Sequence, residues 1–219
     1  MTEFPEVNES IARLARDHSM GSLDLDDLDP DPIAEFGRWM ERALESGLDL
    51  PNTMTLATAA PNGRPSARMV LLKGFDRHGF VFFTSYDSRK SKELVENPLA
   101  ALVFHWPRLE RQVRVEGRVS RIPERESDDY FASRPFGSRI GAWASQQSSV
   151  LGSREELDRR LAELESEYAE REVPRPPHWG GWRVEADAIE FWQGRPNRLH
   201  DRFLYSRAAQ GWNVVRLSP

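Results

Sequence analysis

Three groups of residues in this chain have the types and spacing to handle anions. Arg68 and Lys73 flank the apolar run Met69–Leu72, and Arg89, Lys90 and Lys92 open a short helix just after a strand. Exposed N–H groups at a helix N-terminus, together with guanidinium and ammonium groups, suit a phosphate. Thr84 and Ser88 add hydroxyl donors. Taken alone, such a cluster more often marks a solvated basic helix face. The second group, Tyr130, Arg134 and Ser138, is spaced by four, which on a helix shares one face. All three are donors that one cluster of anionic oxygens can engage. Pro135 intervenes, so the helix is expected to break before Ser138. The alternative is a surface Arg134 paired with Asp128 or Asp129. The third group is Arg198, His200 and Arg202, following Trp192-Gln193-Gly194. In a strand these three side chains point to one face and Asp201 to the other. Two guanidiniums and an imidazole repel one another unless an anion or an electron-rich ring lies opposite. A lone histidine is more often structural, but the flanking arginines favour a functional role.

The background against which these groups stand is mildly acidic. The 219 residues carry a net charge of −5, with 39% apolar and 30% charged residues. One large domain or two small ones fit that length. Wholesale binding of nucleic acid or of a membrane surface does not fit the charge. There is no cysteine, which excludes disulfides, thiolate catalysis and zinc–thiolate sites. His18, His78, His105, His178 and His200 are scattered without metal-ligand spacing. Neither a Gly-rich dinucleotide fingerprint nor a P-loop nor a Gly-x-Ser-x-Gly elbow is present. Met1–Ser10 is polar, without a signal-peptide core, and no apolar run is long enough to span a bilayer. The expected location is cytoplasmic.

The elements that must position these groups are legible as changes of period. Glu6–Ser19 is polar and weakly helical, and Asp24–Asp31 is an acidic connector. Asp31 caps a helix that Pro32 opens and Gly47 ends, with Ile33, Phe36, Met40, Ala43 and Leu44 on its apolar face. From Thr53 the period becomes two. Strands are predicted at Thr53–Ala59, Pro65–Lys73, Phe80–Ser85, Leu99–Trp106 and Arg111–Ile122, with a basic helix over Ser88–Asn97. Many short strands with tight turns predict a closed or nearly closed antiparallel barrel. Helices follow at Pro123–Ser133 and from a Ser153/Glu156 capping box to about Tyr168. Strands near Trp182–Glu185, Ile189–Gln193, Arg202–Ser206 and Trp212–Leu217 return to the sheet.

In order along the chain, several segments together resemble the pyridoxamine 5′-phosphate oxidase family. They are Arg68-Met69-Val70-Leu71-Leu72-Lys73, Phe82-Phe83-Thr84 with Ser88-Arg89-Lys90, and Arg111-Gln112-Val113-Arg114-Val115-Glu116-Gly117. Next come Tyr130-Phe131, Ser133-Arg134-Pro135, Ile140-Gly141-Ala142-Trp143 and Gln147-Ser148. The series closes with Trp179-Gly180-Gly181, Phe191-Trp192-Gln193-Gly194, Arg198-Leu199-His200-Asp201-Arg202 and Arg216-Leu217-Ser218-Pro219. The resemblance runs from about Leu23 to the end. It implies a mainly β fold with α, an FMN-binding split β-barrel, antiparallel and Greek-key-like, with peripheral helices. Residues 1–22 form a mobile N-terminal arm in this reading, and 23–219 the oxidase domain.

The resemblance also implies roles. Arg68, Ser88, Arg89 and Lys90 are matched to the FMN phosphate and ribityl chain, and Met69, Val70, Leu71, Leu72, Lys73, Phe83 and Thr84 to the flavin surroundings. Gln112, Gln147, Ser148, Trp192 and Arg202 match further FMN contacts, several of them supplied by the partner in a homodimer with FMN at the subunit interface. Lys73, Tyr130, Arg134 and Ser138 match a substrate-phosphate site, and Arg198 and His200 the catalytic pair at the substrate ring. The implied reaction oxidises pyridoxamine or pyridoxine 5′-phosphate to pyridoxal 5′-phosphate, with dioxygen as acceptor and hydrogen peroxide as by-product. Phe83 stands where the family often has Tyr. Ala15 and His18 stand where an N-terminal lid commonly carries Arg and Tyr. The alternatives are a phenazine-biosynthesis type of FMN oxidase and a non-catalytic protein that binds FMN or pyridoxal phosphate.

Overall fold

A computed structural model describes residues 5–12, 18, 19 and 21–219. Ala15 and Arg16 lie outside the described residues. The chain order is α1 (Pro5–Ala12), α2 (Pro32–Glu45), β1 (Thr53–Ala59), β2 (Pro65–Leu71), β3 (Gly74–Asp76), β4 (Gly79–Ser85) and α3 (Arg89–Glu96). It continues with β5 (Leu99–Trp106), β6 (Arg111–Arg121), α4 (Glu124–Ser133), α5 (Phe136–Ala144), α6 (Arg154–Glu167), β7 (Trp179–Gln193), β8 (Asp201–Arg207) and β9 (Trp212–Arg216). The strands form one antiparallel sheet in the order β2-β1-β5-β6-β7-β4-β3, with β8 paired to β7 and β9 to β8. No helix among the described residues is long and apolar enough to cross a membrane.

Strict alternation along β1 turns Met54, Leu56 and Thr58 inward. Leu102, Phe104 and Trp106 of β5 and Val113 and Val115 of β6 do the same, and all but Thr58 join one apolar core. Helix α2 caps that core. Asp31 accepts from the Ile33 N–H at 2.9 Å and Pro32 fills the first helical position. Phe36 then packs edge-on against Phe80 at 4.9 Å, and Trp39 against Phe191 at 5.0 Å. Truncating either ring would cost about 3–5 kcal/mol. A smaller cluster of Phe131, Ile140, Val173 and Trp179 lies under α4, α5 and α6.

The structure revises the expected elements at four places. β7 is one fifteen-residue strand instead of two, pairing along β6, with β4 at one end and β8 at the other. The extra residue is absorbed by a register shift at Glu116/Gly117. A Cβ on Gly117 would stand 1.9 Å from the Glu185 carbonyl oxygen, so only glycine allows the approach. A short β3 extends the hairpin before β4. Helix α4 ends at Ser133 as expected, with Arg134 extended (ψ 147), but a separate, unexpected α5 starts after Pro135. Proline disfavours the helical region for the residue before it. Tyr130, Arg134 and Ser138 therefore do not share a helix face.

The fourth revision concerns the third basic group. Arg198, His200 and Arg202 do not form a row on one strand. Pro196–Arg198 is a 3₁₀ turn in which Asn197 and Arg198 adopt φ 57 and φ 62, and β8 begins only at Asp201. Arg202 is also paired, its Nε donating to Glu190 Oε1 at 2.8 Å.

Candidate active site

A cavity of about 1010 Å³ lies between β2, β4, the start of α3 and the α4–α5 connection. Strand β2 lies at the edge of the sheet, so Arg68, Met69, Val70, Leu71 and the following Lys73 reach this space, while Leu72 turns into the core. Phe83 and Thr84 enter from β4, Arg89 and Lys90 from α3. Tyr130, Arg134 and Ser138 enter from the helical side, and Gln147 and Ser148 from the loop after α5. Ser148 adopts φ 73, an uncommon backbone for a non-glycine residue that recurs at ligand sites.

At one end of the cavity the cations are tightly organised. Lys90 Nζ is buried and donates to Gln147 Oε1 (2.9 Å), Thr84 Oγ1 (3.1 Å) and Ser88 Oγ (3.3 Å). All three acceptors are neutral. Burial, and then the nearby Arg68, lower the Lys90 ammonium to about 8. Arg68 donates through Nη1 to Thr58 Oγ1 at 2.6 Å and lies 3.4 Å from Glu93 Oε2 through Nη2. Arg89 Nε donates to the other Glu93 oxygen at 2.8 Å. Ser88 is fully buried and faces Ser85 and Lys90 rather than the cavity.

At the other end lies a stack of parallel rings. Phe83 stacks on Tyr130 at 4.0 Å and on Trp179 at 5.4 Å. The Arg134 guanidinium lies over Trp179 at 4.6 Å, and Lys73 Nζ is 6.0 Å from the Tyr130 ring centre. Arg134 does not pair with Asp128 or Asp129, which bind Arg175 and Arg125 instead. Its Nη1 is buried with no hydrogen-bond partner among the described residues. A buried guanidinium nitrogen left unmatched is costly unless an acceptor arrives. Sequence reasoning assigned no role to Trp179, Thr58, Ser66 or Glu93. Glu93 was readable as the i+4 partner of Arg89, whereas nothing local in the sequence links Trp179 to Arg134.

The remaining candidates stand apart. Gln112 on β6, Trp192 on β7, Arg202 on β8 and the Arg198/His200 turn do not line this cavity. His200 stacks obliquely on Trp192 at 4.5 Å, and its Nδ1 accepts from the Arg195 N–H at 3.1 Å. Burial, then His18 and Arg198, lower its pKa, which favours the neutral ring, and the accepting Nδ1 places the neutral ring's proton on Nε2. The His18 ring sits 5.4 Å from His200, beside a Gly194 that has no room for a side chain. The adjacent Ser19 N–H donates to the buried Glu110 carboxylate at 2.7 Å.

Residues 40–168 match the family model described as pyridoxamine 5′-phosphate oxidase. The chain belongs to the pyridoxamine 5′-phosphate oxidase family. It is thereby an oxidoreductase. Residues 179–219 match the pyridoxine 5′-phosphate oxidase C-terminal dimerisation region, the stretch that carries Trp192, Arg198, His200 and Arg202. A pyridoxine/pyridoxamine 5′-phosphate oxidase of Rubrobacter xylanophilus is 62% identical over 217 residues, 99% of this chain and 100% of the relative. One from Paraburkholderia phymatum is 58% identical over 211 residues, covering 96% and 99%. Among solved structures, PhzG of Burkholderia lata, in complex with tetrahydrophenazine-1-carboxylic acid, superposes with a TM-score of 0.85 at 33% identity, covering 91% of this chain and all of that one. An FMN-binding protein of Nostoc punctiforme shares the split-barrel fold, with a TM-score of 0.67 at 19% identity, covering 83% and 96%.

Proposed function

We propose that the protein is a homodimeric FMN enzyme that oxidises pyridoxamine and pyridoxine 5′-phosphates to pyridoxal 5′-phosphate, with dioxygen as acceptor. The observation that supports this reading is one cavity with a separate cluster of cationic and hydroxyl donors at each end. Arg68, Arg89 and Lys90 supply one, and Lys73, Tyr130, Arg134 and Ser138 the other. A phosphorylated cofactor beside a phosphorylated substrate needs both. The residues fit FMN: Lys90 is a buried ammonium with only neutral acceptors among the described residues, and an anion would relieve it.

Bound FMN would supply the hydride-accepting and oxygen-reactive chemistry of the reaction, with hydrogen peroxide as by-product. The protein contributes position and electrostatics. Arg68, Arg89 and Lys90 hold the cofactor phosphate, with Met69, Val70 and Leu71 along the flavin and Gln147 and Ser148 near it. Lys73, Tyr130, Arg134 and Ser138 grip the substrate phosphate. Binding energy from that remote group orients the reacting carbon. Arg198 and His200 of one protomer cover the substrate ring in its partner's cavity, where the neutral His200 donates from Nε2. Gln112, Trp192 and Arg202 reach the flavin across the same interface. From pyridoxamine phosphate the oxidised product is an imine, which water converts to the aldehyde and ammonia. Residues 1–22 serve as an arm whose His18 lies above His200.

The PhzG likeness makes a phenazine-type acid the second reading. It is weakened by the four donors at the second anion end, which exceed what one carboxylate needs. Oxygen uptake should be measured with both B6 phosphates, their unphosphorylated forms and a dihydrophenazine acid. Turnover of the phosphates alone is expected. Turnover of the dihydrophenazine acid alone would overturn the reading, and a yellow protein that yields no peroxide with any of them would make it a binding protein.

A further inference from the structure

We propose that Glu93 is a positioning residue for the flavin phosphate, aiming Arg68 and Arg89 at one point and so setting the preference for FMN over riboflavin. This rests on the reading above that these cations hold the phosphate. A buried carboxylate inside an anion site looks out of place, since it repels the ligand. Its contacts explain it. Thr58 Oγ1 and Ser66 Oγ each donate to Glu93 Oε2 at 2.5 Å, and Arg68 Nη2 lies 3.4 Å from the same oxygen. Oε1 takes the Arg89 Nε at 2.8 Å. One carboxylate thus joins β1, β2 and α3, three elements that share no local sequence.

Burial alone would raise the Glu93 carboxyl. The bonds from Ser66, Thr58 and Arg89 outweigh burial and hold it at about 2, so it stays charged at every working pH. Arg68 and Arg89 would otherwise repel each other and Lys90 in the empty site. Arg89 is more than half exposed, and without a tether its long side chain samples many rotamers. The three cations less this one carboxylate leave two positive charges, matching a phosphomonoester at about −1.5 to −2. The pair geometry, bound before the ligand arrives, removes an ordering cost from FMN binding.

The test is the ratio of dissociation constants for riboflavin and FMN, measured by flavin fluorescence quenching on the flavin-stripped dimer. Glu93→Gln removes the charge and keeps the shape. FMN binding is expected to weaken at least tenfold while riboflavin binding changes less than twofold. Unchanged or tighter FMN binding would overturn the proposal, because charge repulsion would then dominate over aiming. Equal weakening of both ligands would also overturn it, as that marks general loss of structure. Should Glu93→Gln fail to fold, the Thr58→Val/Ser66→Ala variant loosens the carboxylate without removing it and must shift the ratio in the same direction. Arg68→Ala separates the two levels of the argument. If it leaves the ratio intact, the phosphate assignment itself fails. If it abolishes the ratio while Glu93→Gln does not, only the role of Glu93 fails.

Discussion

The ammonium of Lys90 is bound to the side-chain oxygen of Gln147 at 2.9 Å, and its other two acceptors are hydroxyls. A buried cation whose every acceptor is neutral titrates low, here at about 8 against an ordinary value of 10.5. Between pH 8 and 10.5 the unfolded chain holds this proton and the folded, flavin-free protein does not, so this group makes stability rise with pH across that window. A bound phosphate favours the charged form and pulls the proton back.

FMN affinity is therefore expected to fall as pH rises through about 8, with proton uptake on binding. Riboflavin, lacking the phosphate, should show no such dependence. Lys90→Met should bind FMN more weakly and flatten the profile. Calorimetry of FMN binding in buffers of different ionisation enthalpy measures the proton count, and zero uptake at pH 9 would count against the mechanism.

The Arg134 guanidinium lies over the Trp179 ring at 4.6 Å, with one buried nitrogen unmatched among the described residues. Lysine keeps the charge but loses the plane and the fork. Arg134→Lys should raise KM for the phosphorylated substrates roughly 10- to 100-fold, the equivalent of about 1.5–3 kcal/mol for a charge-assisted bond. Flavin content should stay at the wild-type level. Parallel loss of flavin would place Arg134 at the wrong end of the cavity.

The two sets of candidates on different surfaces of one chain predict complementation. Arg134→Ala and Arg198→Ala homodimers should each be nearly inactive. Mixed dimers should regain about a quarter of wild-type activity under random exchange, since half the dimers are mixed and each has one intact site. Activity of the mixture no higher than its parents, with exchange verified by mass spectrometry, would show that each site is built within one chain. Stopped-flow traces on Arg198→Ala should show slower flavin reduction with FMN still bound.

The His18 ring lies 5.4 Å from His200, and Ser19 is tied to Glu110 at 2.7 Å. His18 is one cause of the lowered His200 pKa. His18→Ala should therefore move the His200 titration upward, readable by imidazole NMR. Removing residues up to Ser19 should raise KM only a few-fold and leave flavin binding unchanged. A collapse of kcat would mean that the arm takes part in more than covering the ring.

Much of this molecule was legible from local pattern alone. Period-two alternation placed β1, β5 and β6, and Asp31-Pro32 and Ser153 marked helix starts, because strand faces and caps are decided by neighbours in sequence. The ordered basic and hydroxyl segments likewise marked many of the residues that converge on one cavity. Three things had to wait for the fold. Pro135 ended α4, yet Tyr130, Arg134 and Ser138 still line one cavity, since a chain that turns can converge side chains as a helix cannot. Pro196 and two left-handed residues put Arg198 in a turn, where alternation loses its meaning. Glu93 and Trp179 gained their partners from β1, β2 and α4, tens of residues away, through sheet pairing and helix packing that no local spacing encodes. The sequence by itself determined which residues could bind anions, and the tertiary structure decided which of them are buried without a counter-charge, because burial and pairing are properties of distance in space.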